Sequence, residues 1–235
     1  MKKNIILAST STVFGQPYLS YLKEELEILF ADAKEIIFIP YARPGGISHD
    51  DYTAKAAAFF KEIRVAVKGL HNFDDPISAL QNCQGIFTGG GNTFLLVKQL
   101  HELNILPTLR SVVDNGVPYL GTSAGSNLGG MTMQTTNDMP IVYPPSFETA
   151  GWVPFNLNPH YLDPIPGTTH MGETRETRIA EFHTQNSIPV VGLREGSWVR
   201  VTDHKIKLGG PLTARIFEQG KQPYELSPGA SIEFA

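Results

Sequence analysis

The pentapeptide Gly121-Thr122-Ser123-Ala124-Gly125 follows a short apolar run, Val117-Pro118-Tyr119-Leu120. Its Gly-x-Ser-x-Gly spacing suits a serine on a sharp strand-to-helix turn, with the hydroxyl presented above a sheet. The glycines serve a strained turn that leaves no room for flanking β-carbons. Ser123 is therefore a candidate nucleophile, and the chemistry would be hydrolysis. Composition alone yields this pattern by accident in about one chain in ten of this length, so it needs partners.

A second glycine turn, Gly89-Gly90-Gly91-Asn92, follows another strand-like run. Backbone N–H groups from the two turns, Ala124 in one and Gly91 in the other, could form an oxyanion hole. The Gly89 turn lacks both the Gly-x-Gly-x-x-Gly spacing and a Walker lysine, which argues against a nucleotide cradle. A serine also needs a base. His160, in Asn158-Pro159-His160, has the most suggestive setting of the seven histidines, on a Pro-flanked turn after the strand-like Val153–Leu157. A histidine taken alone is more often an ordinary surface residue, which is the reading for His49, His71, His101, His183 and His204. Two carboxylates could orient the base: Asp138, in Thr135-Thr136-Asn137-Asp138-Met139-Pro140, and Glu195, in Gly192-Leu193-Arg194-Glu195-Gly196. Either could equally be a solvated turn carboxylate. Arg175 and Arg178 suit a charged helix start, or a guanidinium fork for a substrate carboxylate. No His-Glu-x-x-His or Cys/His cluster occurs, so no metal site is expected.

These residues need a frame. Short apolar runs alternate with helix-period segments: strands at Asn4–Ala8, Ile36–Ile39, Val65–Leu70, Gly85–Thr88 and the run into Ser123, with helices at 17–30, 50–63, 76–82, 93–101 and 106–115. That alternation predicts an α/β fold, a mostly parallel sheet with helices on both faces, in a single domain over 1–235. Gly130–Pro159 reads as long functional loops, Arg175–His183 as a helix. Val190–Leu193, Trp198–Thr202, Lys205–Leu208 and Arg215–Glu218 read as strands in hairpins at a sheet edge.

At 235 residues, 41% hydrophobic and 18% charged, the chain is globular in composition. The net charge of −4 and the absence of a basic stripe argue against nucleic acid as a partner. Lys2-Lys3 before Ile5–Ala8 faintly resembles a signal peptide, but the apolar run stops at Ser9 and fits a first strand better. No run approaches the ~20 apolar residues of a membrane helix. The single cysteine, Cys83, cannot pair internally, which suits a reducing cytoplasm.

Several segments together resemble the peptidase E family of aspartyl dipeptidases, a family of serine peptidases. They are 89–94, 121–125, 135–142, Asn158-Pro159-His160, 172–176, 192–196 and 208–211, in family order. The resemblance implies a three-layer fold akin to the class I glutamine amidotransferase domain, and hydrolysis of dipeptides with an N-terminal aspartate. It implies Ser123 as nucleophile, His160 as general base, Gly91 and Ala124 as oxyanion donors, and Arg175 as reader of the substrate aspartate. Asp138 and Glu195 both have claims to the third triad place. Thr122 stands where some members carry a tryptophan, and Met171 where a lysine can occur. The expectation is an acyl-enzyme mechanism without cofactor, with Glu195 orienting His160 and Asp138 holding the substrate ammonium or shaping its pocket. The rivals are a cyanophycinase-like hydrolase of β-aspartyl links and a non-catalytic binding protein on the same fold. An amidotransferase would carry a cysteine nucleophile and a His-x-Glu, where this chain has Ser123 and His160-Tyr161-Leu162. Oligomeric state is not legible in the sequence.

Overall fold

The computed structural model describes residues 2–164, 167, 169 and 171–234. Strands β1 (Asn4–Ala8), β2 (Glu35–Ile39), β3 (Ala66–Gly69), β4 (Ile86–Thr88) and β5 (Tyr119–Thr122) run parallel, in the spatial order β3-β2-β4-β5-β1. Strands β6 (Asn156–Pro159) and β7 (Val190–Leu193) lie outside this sheet and pair parallel with each other. β8 (Trp198–Thr202) and β9 (Lys205–Gly209) return to the first sheet as an antiparallel hairpin beside β1, making seven strands. β10 (Ala214–Phe217) and β11 (Tyr224–Leu226) complete a second sheet of four strands, in the order β11-β10-β7-β6.

Strands that are apolar at every position need cover on both faces, and each side chain takes its face from the period of two. Ile6, Phe38, Phe87 and Leu120 point into one buried cluster, with helices α1 (Lys23–Leu29) and α2 (His49–Phe60). Ile5, Leu7, Ile37, Ile39, Ile86 and Tyr119 point the other way. There they meet α3 (Pro76–Gln81), α4 (Thr93–Glu102), α5 (Leu106–Asp114) and the inner face of the second sheet. The three-layer architecture is the one the alternation predicts. Phe38 shows how tightly the first cluster closes. Its ring lies 4.8 Å from Tyr52 and 4.9 Å from Phe87, so Phe38→Ala should cost about 3–5 kcal/mol.

Helix starts follow their caps. The side chains of Ser48, Asp75 and Asn92 accept backbone N–H groups at the starts of α2, α3 and α4, and Pro76 stands in the first turn of α3. Expectation and structure part in three places. The helix expected from Pro17 begins only with a 3-10 turn at Ser20–Leu22 and then α1, because Leu19 adopts a left-handed φ of 56° that no continuous helix can include. The strand expected at Val153–Leu157 begins three residues later and ends two later, as β6, where the parallel register with β7 sets its bounds. Only β8 and β9 form the expected edge hairpin; β7 and β10 belong to the second sheet. Among the described residues no helix is long and apolar enough to cross a membrane.

Candidate active site

β5 delivers Ser123 to the carboxyl end of the sheet, where open α/β folds place their ligands. Ser123 has φ 54° and ψ −111°, a conformation costing roughly 1–3 kcal/mol that surrounding contacts must hold. The contacts are close. A β-carbon at Gly121 would lie 2.3 Å from the Gly125 carbonyl oxygen, and one at Gly125 would lie 2.2 Å from that of Thr88. The motif glycines are thus demanded by backbone packed on backbone. The Ser123 N–H donates to the Ala8 carbonyl at 3.0 Å, and the buried Ser126 hydroxyl lies 2.6 Å from the same oxygen. A short helix, α6 (Ala124–Asn127), runs on from the turn.

The glycine turn after β4 packs directly against this elbow. A β-carbon at Gly90 would sit 3.0 Å from that of Ser123. Gly91 has φ 147°, and a β-carbon there would fall 2.2 Å from the Ala42 carbonyl oxygen. The same carbonyl accepts the Asn92 N–H at 2.6 Å, and the buried Tyr52 hydroxyl donates to the Gly90 carbonyl at 3.1 Å. The turn is therefore fixed from two sides. Neither Gly91 N–H nor Ala124 N–H donates to a protein acceptor among the described residues, so both can receive a developing oxyanion.

His160 follows β6 with a left-handed φ of 54°. Its N–H donates to the Ser9 hydroxyl at 2.9 Å, and that hydroxyl donates to the Leu193 carbonyl at 2.8 Å. One imidazole nitrogen, Nε2, lies 3.0 Å from Ser123 Oγ; the other, Nδ1, lies 2.6 Å from Glu195 Oε1. With the proton on Nδ1 donated to Glu195, Nε2 keeps its lone pair toward the serine hydroxyl. The His160 and Glu195 side chains are 38% and 45% exposed, so the relay stands at the mouth of the site.

Asp138 lies elsewhere. Its Oδ2 accepts the Thr93 N–H at 2.7 Å, the Thr93 hydroxyl at 2.6 Å and the Thr136 hydroxyl at 3.1 Å, at the N-terminus of α4. The carboxylate thus closes the first turn of α4. No hydrogen bond joins it to His160 among the described residues. Its neighbour Asn137 donates to the Pro159 carbonyl at 2.7 Å and so ties this loop to the end of β6. Arg175 opens α7 (Arg175–Phe182), behind a Thr174 cap, and makes no ion pair among the described residues. Burial and the neighbouring Arg178 lower its pKa, against the opposing pull of Asp138, and it remains a cation. Arg178 is engaged with Glu173 at 3.6 Å. Sequence reasoning missed Ser9, Tyr52, Ser126 and Asn137, single polar residues whose only signal is a place beside a strand end or a motif. Among the described residues no group of three or more His, Cys, Asp or Glu is arranged to hold a metal ion.

A serine on a glycine-walled strand-to-helix turn, with a histidine and a carboxylate in line behind it, defines a serine hydrolase site on a mostly parallel α/β sheet. The chain belongs to peptidase family S51, whose model matches residues 5–209. It is 44% identical over 229 residues to a protein named peptidase E from Streptomyces coelicolor, covering 97% of this chain and 93% of that one. It is also 44% identical over 235 residues to a probable alpha-aspartyl dipeptidase of Drosophila melanogaster, covering 99% and 97%. The fold matches a putative peptidase E from Listeria monocytogenes with a TM-score of 0.68 at 18% identity, over 89% of this chain and 99% of that chain.

Proposed function

We propose that this protein is an aspartyl dipeptidase: it hydrolyses Asp-X dipeptides through an aspartyl-enzyme on Ser123. The observation that carries the reading is the continuous contact from Ser123 Oγ through His160 to Glu195, at 3.0 and 2.6 Å. The relatives named peptidase E and probable alpha-aspartyl dipeptidase, aligned over nearly the whole chain, supply the substrate class.

His160 Nε2 takes the Ser123 proton as Oγ attacks the aspartyl carbonyl carbon. The oxyanion is received by Gly91 N–H and Ala124 N–H, and the imidazolium is steadied by Glu195. His160 then gives its proton to the leaving nitrogen, and the C–N bond breaks. Water, deprotonated by the same nitrogen, cleaves the ester and restores Ser123. Arg175 reads the substrate β-carboxylate as a planar fork. Asp138 keeps Oδ1 without a hydrogen bond among the described residues and is assigned the substrate α-ammonium.

A panel of Asp-Leu, Glu-Leu, Asn-Leu and N-acetyl-Asp-Leu tests the assignment. Cleavage of Asp-Leu alone is expected, from the arginine-read carboxylate and the free amine together. Equal cleavage of the acetylated substrate would remove the ammonium role, and cleavage of Asn-Leu would remove that of Arg175.

A further inference from the structure

A dipeptide has a second carboxylate, at the end of the residue that leaves. Only two atoms separate it from the scissile carbon, so it lies within about 4 Å of that carbon, beside the oxyanion turn. A cation that reads it must come from the same neighbourhood. Most of the arginines are committed: Arg110 to the Thr149 carbonyl, Arg178 to Glu173, Arg194 to Asp163 and Glu225, Arg200 to Asn4, and Arg215 to Glu176. Among the described residues that leaves Arg43, Arg64 and Arg175 without a carboxylate or carbonyl partner. Arg64 precedes β3, at the opposite end of the sheet from the site. Arg43 follows β2, next to the Ala42 carbonyl that holds the glycine turn of the oxyanion hole.

The Arg43 guanidinium lies over the buried Tyr52 ring, 4.6 Å from its centroid. Stacking occupies the face of the guanidinium and leaves its in-plane N–H groups free to form a fork. The Tyr52 hydroxyl, which donates to the Gly90 carbonyl at 3.1 Å, has both the Arg43 guanidinium and the Tyr18 hydroxyl as polar neighbours, and so links this cluster to the oxyanion turn. Burial and the Tyr52 hydroxyl raise the Tyr18 pKa far above the ordinary phenol value, so Tyr18 stays a neutral donor. The Lys55 ammonium, 4.7 Å over the Tyr18 ring, adds positive charge.

We propose that Arg43 and Tyr18 form the subsite for the free C-terminal carboxylate of the dipeptide, and so measure the substrate's length. The inference rests on the dipeptidase reading and deepens it.

The experiment compares Asp-Leu with Asp-leucinamide on the unaltered protein, Arg43→Gln, Arg43→Lys and Tyr18→Phe. The unaltered protein should prefer the free acid. Arg43→Gln should lower kcat/KM for Asp-Leu about 10- to 100-fold, chiefly through KM, and change Asp-leucinamide by less than about threefold. Tyr18→Phe should act in the same sense but more weakly, and Arg43→Lys should regain part of the acid preference. The amide is the internal control for folding. Parallel losses on acid and amide, or no loss on either, would overturn the subsite. Failure of the unaltered protein to cleave Asp-Leu would instead overturn the dipeptidase reading, and this inference with it.

Discussion

Replacing Glu195 with glutamine separates the two carboxylates by role. Gln is nearly isosteric, but it can present an amide N–H to His160 Nδ1 across the present 2.6 Å contact. That favours the tautomer with its proton on Nε2, which cannot accept the Ser123 proton over 3.0 Å. In a fully buried triad the equivalent change costs about 10⁴ in kcat. Here the pair is 38% and 45% exposed, so water competes for Nδ1 and the amide can turn to offer its oxygen. The expected loss is therefore smaller, about 10²- to 10³-fold in kcat, or roughly 2.7–4 kcal/mol, with KM little changed. Asp138→Asn should behave differently. Its oxygen can still accept from Thr93, so the main loss is the charge at the α4 N-terminus and toward the substrate ammonium. KM for Asp-Leu should rise, with about 0.3–1 kcal/mol of stability lost. Steady-state kinetics of both variants provide the assay. The assignment is refuted if Asp138→Asn collapses kcat at constant KM while Glu195→Gln stays within about threefold of the parent.

Gly91→Ala would put a β-carbon 2.2 Å from the Ala42 carbonyl at a φ of 147°, so the turn must shift and carry its N–H away. A drop in kcat of at least about 100-fold is expected by steady-state assay, as for loss of one oxyanion donor. Burial raises the Cys83 thiol pKa to about 11, so at pH 8 a disulfide reagent should label it slowly in the native protein and at once after denaturation, without loss of activity during native labelling. Arg194 hydrogen-bonds Asp163 and holds its pKa below the ordinary range; at Glu225 burial pushes the pKa up, but hydrogen bonds from Arg194 and Thr213 outweigh it and leave the pKa lowered. Depressed carboxylates stabilise above their unfolded pKa, and that stability is lost as pH falls through the folded values. The Tm difference between the parent and Arg194→Gln should be largest near pH 7 and shrink toward pH 3; a constant difference would refute the linkage.

The parallel sheet was legible because β1, β2, β4 and β5 are built on short apolar runs punctuated by Gly, Pro and capping residues. Ser123 and the Gly91 turn were legible because a close approach of two backbones leaves glycine as its trace. The choice between Asp138 and Glu195 was not. Each is a carboxylate in a polar turn, and only the tertiary path of β6 and β7 decides which reaches His160. The second sheet was obscured for a related reason. Its one parallel pair, β6 with β7 at the sheet edge, joins residues more than thirty positions apart, whereas a reading by neighbours favours hairpins. Arg43 and Tyr18 belong to no motif, and their place around Tyr52 beside the oxyanion turn exists only in three dimensions.

β1 serves as a common ruler for the site. Ser123 N–H is tied to Ala8, and His160 N–H to the hydroxyl of Ser9, the next residue along. The strand fixing both is paired on one side with β5 and on the other with β8, some 190 residues further along the chain. The relay to Glu195 therefore closes only after β7 and β8 have docked. The nucleophile and its base lie on segments far apart in the chain, and only the folded two-sheet arrangement brings them together.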